Sequence, residues 1–164
     1  MQSPQQVAAG RAARASMTEF SISVDIRAAP QRVWALISDI EGWPDWTPTV
    51  KSVERLDAGP LAVGSRARIR QPKLLPAVWQ ITSLENGSAF TWVTRSPGVS
   101  VTAHHSVEAT TDGSRATLSL RFGGLLGPLV GWLTRRLNDR YLGLEAAGLK
   151  RRSEDQAWHG SSSS

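Results

Sequence analysis

The chain has 164 residues, 40% hydrophobic and 20% charged, enough for one globular domain with little left for a second. It has no cysteine and only three histidines, which excludes disulfide scaffolds, thiolate nucleophiles and zinc–sulfur sites, so no metal and no cofactor is expected. No run of about 18 apolar residues could cross a bilayer. Two features stand out: seven tryptophans against one tyrosine and three phenylalanines, and a net charge of +5 carried largely by arginine.

Residues 1–18 lack apolar periodicity and read as a disordered extension without the apolar stretch of a secretory signal, so a cytoplasmic location is expected. Phe20, Ile22, Val24 and Ile26 then alternate with polar residues, which predicts a strand with one buried face. Pro30 opens a helix on which Val33, Leu36, Ile37 and Ile40 recur at helical spacing, and residues 41–46 form a second short helical turn. Six further strands follow, over residues 50–56, 65–71, 77–84, 89–95, 99–110 and 115–122. The Asn86-Gly87 pair is a strong hairpin signal.

Gly123-Gly124 closes this run, and residues 125–152 predict one long amphipathic helix. Its apolar stripe runs through Leu126, Val130, Leu133, Leu137, Tyr141, Leu144 and Gly148, with Arg135, Asp139 and Glu145 on the wet side. Residues 153–164 end in serine and read as a disordered tail, which leaves residues 19–152 as the domain. A strand meander with a helix packed on one face is an α+β architecture, here a curved seven-stranded antiparallel sheet around a long C-terminal helix.

Several stretches carry a resemblance to a known family. They are Ala29-Pro30-x-x-Val33-Trp34-x-x-Ile37-x-Asp39, Trp43-Pro44-x-Trp46-x-Pro48, the Val63-Gly64 turn, Trp79-x-Ile81 and the helical Tyr141-Leu142-x-Leu144-Glu145. Their order along residues 19–152 resembles the START-related SRPBCC superfamily, including the polyketide cyclase/dehydrase and lipid transport families of bacterial type. The resemblance implies a helix-grip fold with a largely apolar cavity between sheet and long helix. It also implies binding of a lipid, polyketide or quinone-like molecule. Other members are cyclase/dehydratase enzymes, lyases or isomerases by reaction, and others are adaptors or toxins without chemistry; fold alone does not choose among these.

Strand alternation names the candidate cavity wall. On residues 99–110 the inner face carries Val101, Ala103 and His105, whereas His104 points outward, so the two adjacent histidines cannot share a metal. Ile69 and Gln71, then Phe90 and Trp92, then Leu118 and Leu120 fall on inner faces of their strands. Leu137 and Tyr141 face the same space from the helix, and Trp34, Trp43 and Trp46 belong to the small helices near the cavity mouth. A histidine near neutrality at position 105 could act as acid or base, with the Tyr141 hydroxyl as donor. The competing reading of His105 is a neutral core histidine.

Charge is uneven. Residues 39–58 hold five acids against two bases, residues 64–76 hold Arg66, Arg68, Arg70 and Lys73 without an acid, and residues 135–152 hold six bases against two acids. These runs read as wet faces of strand and helix, so nucleic acid is not an expected partner, whereas peripheral contact of the basic helix with a membrane surface is compatible with them. The expected partner is a hydrophobic small molecule, with the chain a monomer or homodimer.

Overall fold

The computed structural model describes residues 18–159, so the N-terminal extension expected at 1–18 falls, but for Thr18, outside the described residues, as do residues 160–164. The strands are β1 (Thr18–Ile26), β2 (Ser52–Arg55), β3 (Arg66–Arg70), β4 (Ala77–Glu85), β5 (Ala89–Ser96), β6 (Val99–Thr110) and β7 (Gly113–Gly123). They form one antiparallel sheet in the order β1-β7-β6-β5-β4-β3-β2. Six strands in succession pair with their sequence neighbours, and β1 closes the far edge on β7 with Phe20 opposite Leu120. A register shift between Ile81 and Ser83 lets β4 bend, adding to the curvature. Gly87, at φ +88, turns the β4–β5 hairpin in the left-handed conformation that glycine adopts without strain.

Helix α1 (Pro30–Ser38) starts on its proline and buries Val33 and Ile37. A 3-10 helix (Ile40–Asp45) follows and buries Ile40 and Trp43. The expected two short helices after the first strand are therefore in place. The long C-terminal element, expected as one helix over residues 125–152 with Gly127 and Pro128 as the place for a bend or first turn, is interrupted further along. It is two helices, α2 (Gly127–Leu133) and α3 (Arg135–His159), joined at Thr134. The Thr134 hydroxyl donates to the Val130 carbonyl at 2.7 Å, competing with the backbone N–H for the same acceptor, and such back-bonding bends helices. Helix α3 also continues through residues 153–159, where composition alone suggests a tail. Ser153 and Glu154 explain part of this: Arg32 Nε donates to the Ser153 carbonyl at 2.7 Å, and Arg27 N–H donates to the Glu154 carboxylate at 3.0 Å.

The bend changes which side of the helix is buried. The face of α3 turned to the protein carries Asn138, Leu142, Ala146, Leu149 and Ser153. Leu126 and Leu133, expected on the apolar stripe, are exposed. Gly148 packs directly on the Trp46 backbone carbonyl, so the helix sits closer to the 3-10 turn than any side chain would permit. Gly148, on the expected stripe, thus sets this contact by its lack of a side chain.

Candidate functional site

The concave face of the sheet and the first turns of α3 enclose a cavity of about 360 Å³. The sheet supplies Ile69, Trp79, Trp92, Thr94, Val101, Ala103, His105, Leu118, Leu120 and Phe122; Trp43 and Val50 close the inner end. From the helices come Val130, Thr134, Asn138, Tyr141, Leu142 and Glu145. Leu74 and Leu75, on the β3–β4 loop, and Ser96 and Val99, at the β5–β6 turn, border the open side.

Ten of the residues expected on the wall line this space: Trp43, Ile69, Gln71, Trp92, Val101, Ala103, His105, Leu118, Leu120 and Tyr141. Four do not. Phe90 lies behind His105, with its ring stacked on the imidazole at 4.8 Å. Trp34 packs edge-on to Phe90 at 6.4 Å, and Trp46 sits behind Trp43 at 5.8 Å. Leu137 is half-buried but off the wall. Trp43, Trp46, Trp79 and Trp92 therefore form a buried cluster at the cavity base, with Trp43 5.2 Å from Trp92 and its indole N–H donating to the Ile37 carbonyl at 3.0 Å.

His105 occupies this cluster, and its chemistry differs from the near-neutral group the sequence suggests. Burial lowers its pKa from 6.5 to about 3, with the neighbouring His104 adding to the effect. Its ring lies 5.1 Å from Trp43, and its Nδ1 is buried without a hydrogen-bond partner. The imidazole is thus neutral at physiological pH and too weakly basic to accept a proton there. His104, on the opposite face, shares a 2.8 Å hydrogen bond with Thr91 Oγ1.

Tyr141 also differs from expectation. Its hydroxyl donates to the Pro72 carbonyl, latching the β3–β4 loop to α3, and burial raises its pKa. The proton that a ligand oxygen would need is already committed to the loop.

The ionisable group on the wall that sequence reasoning misplaced is Glu145. It was expected on the wet side of the helix, yet it lines the cavity. Burial raises its pKa from 4.5 to about 7, opposed in part by a 2.9 Å hydrogen bond donated by Thr49. The chain of donors is continuous: Thr49 N–H reaches Thr47 Oγ1 at 3.3 Å, the two threonine hydroxyls are 2.9 Å apart, and Thr49 Oγ1 donates onward to Glu145. A carboxyl in this setting can give or take a proton near neutral pH, or anchor a polar group of a bound molecule. Leu142 and Leu149, seven residues apart with Ala146 between them, were the signal that sets the helix phase and turns Glu145 inward. Among the described residues, no group of three or more histidine, aspartate or glutamate side chains is placed to hold a metal.

Comparison with known proteins agrees with this geometry. The profile of the family described as polyketide cyclase / dehydrase and lipid transport matches residues 17–154. Among solved structures, the di-domain ARO/CYC StfQ from the steffimycin biosynthetic pathway superposes with a TM-score of 0.73 at 12% identity, over 91% of this chain. The chain spans only 54% of the length of that protein. Ara h 8.0201 superposes with a TM-score of 0.59 at 13% identity, over 81% of this chain and 97% of its own. No curated protein sequence matches the chain significantly. Both structural neighbours share the helix grip of a curved sheet on a long helix, and with the profile spanning nearly the whole domain, the chain belongs to the polyketide cyclase/dehydrase and lipid transport family of the START-related superfamily.

Proposed function

We propose that this protein binds a hydrophobic small molecule in the central cavity, with Glu145 holding its polar end. The observation that carries this reading is a cavity of about 360 Å³ whose apolar and aromatic walls converge on one buried carboxyl. Its size falls within the roughly 300–1,000 Å³ typical of small-molecule sites, and a few placed polar groups on an apolar wall are what such sites use for orientation. A lipid, a polyketide or a quinone-like molecule meets this description. Native mass spectrometry of the protein as purified tests it: an apolar adduct lost in Ala103→Trp supports the reading, and an empty protein that takes up none of these classes counts against it.

Glu145 also favours a second reading, a cyclase/dehydratase-type enzyme. With a pKa of about 7 in an apolar cavity it has the properties of a general acid or base toward a ketone-bearing chain. This reading gives proton transfer to Glu145 in place of His105 and Tyr141, since burial makes His105 a weak base and the Tyr141 hydroxyl donates to Pro72. The two readings separate on Glu145→Gln: loss of turnover with binding retained indicates chemistry, whereas altered binding without any turnover in the parent protein indicates a carrier.

A further inference from the structure

We propose that the open side of the cavity docks on an anionic lipid membrane through an apolar face rimmed by basic residues. Helix α2 presents two unlike sides. Gly127 and Gly131 face inward, where a Cβ at either position would meet Phe122, so that side lies flat on β7. The other side carries Leu129, Trp132 and Leu133, and Leu125 joins them from the turn just before the helix; all four are exposed, Leu125 at 93% and Trp132 at 67%. Across the mouth, Leu75 on the β3–β4 loop is 90% exposed. Large apolar side chains gathered at one place on a surface mark an interaction site, and here they sit on the helix and loop whose Val130, Thr134, Leu74 and Leu75 line the apolar cavity.

The charge around this face selects the partner. The three segments that form the mouth contain no acid anywhere in residues 58–84, 86–107 or 113–138. They contribute Lys73, next in the chain to the lining Leu74, and Arg135 and Arg136, directly after the lining Thr134; all three are exposed and none is in an ion pair among the described residues. Arg121 is paired with Glu19, and Asp139, one turn along α3, is the first acid beyond the face. Leucine and tryptophan flanked by arginine and lysine is the composition of elements that lie in a lipid interface, where basic groups are drawn to anionic headgroups. Of the occupants an apolar face could take, a second copy would place these cations against one another; an anionic bilayer neutralises them. Among the described residues no helix is long and apolar enough to cross a membrane, so contact would be peripheral.

Vesicle co-flotation tests this directly. The protein should float with phosphatidylcholine vesicles containing a third phosphatidylglycerol, stay in solution with phosphatidylcholine alone, and be released by raised salt. Arg135→Gln/Arg136→Gln and, separately, Leu129→Ser/Trp132→Ser should each weaken binding by about tenfold or more while circular dichroism stays unchanged. Absence of binding to the anionic vesicles, or binding untouched by both double variants, overturns the proposal. So does a dimer in sedimentation velocity that Leu129→Ser/Trp132→Ser dissolves, since the face would then belong to a second copy. The inference stands apart from the cavity's occupant: Ala103→Trp blocks the cavity and should leave flotation as it was, so the two readings fail separately.

Discussion

Replacing Glu145 by glutamine retains the shape of the side chain and the Thr49 hydrogen bond but removes the ionisation. In the folded protein the carboxyl titrates at about 7 instead of 4.5, so between these values the native state binds a proton that the unfolded chain has released. Stability from this group is therefore complete below pH 4.5 and is lost as pH rises through about 7. A difference of this size corresponds to at most about 3 kcal/mol. Urea unfolding of both proteins across this range reads the effect as a difference, which cancels every other titrating group. Glu145→Gln should match the parent near pH 4.5 and exceed it by up to about 3 kcal/mol above pH 8. A flat difference would refute the reasoning, because the carboxyl would then be ionising as it does in water.

Three further outcomes follow from the same packing. His105 is held neutral with a pKa of about 3, so the unfolded chain gains a proton below 6.5 that the native state refuses; stability is present above 6.5 and lost toward 3, and His105→Phe, which can keep the stacking on Phe90, should lessen that acid loss in pH-dependent unfolding. Gly148→Ala should destabilise by about 1–3 kcal/mol, since its Cβ overlaps the Trp46 carbonyl, whereas Gly143→Ala, with open space around it in the same helix, should stabilise by up to about 1 kcal/mol; thermal unfolding of the pair checks the contrast. Ala103→Trp places an indole in the cavity and should weaken uptake of an apolar fluorescent dye by about tenfold or more, and unchanged dye affinity would mean that the dye sits elsewhere.

Glu145 also shows where sequence reasoning ends. Counting one apolar stripe from Leu126 puts Glu145 on the wet side and Leu126 and Leu133 on the buried one, although Tyr141 and Gly148 of the same stripe do face the protein. The contact face also takes in Leu142, Ala146 and Leu149, which lie beside that stripe. Tyr141 was correctly expected at the cavity, but that its hydroxyl is taken by Pro72 depends on a loop 69 residues away in the chain. The titration of His105 likewise depends on rings from β5 and the 3-10 turn.

What the residues determined by themselves was the order of elements and the face of each strand. Both rest on local rules: alternation has a period of two wherever one side of a strand is buried, and Gly, Pro and Asn-Gly mark where chains must turn. Only the tertiary structure decided which groups share the cavity and in what protonation state. Burial and partner identity are properties of the closed assembly. A carboxyl reads as a wet-face residue until the sheet, Thr49 and the tryptophan cluster close around it.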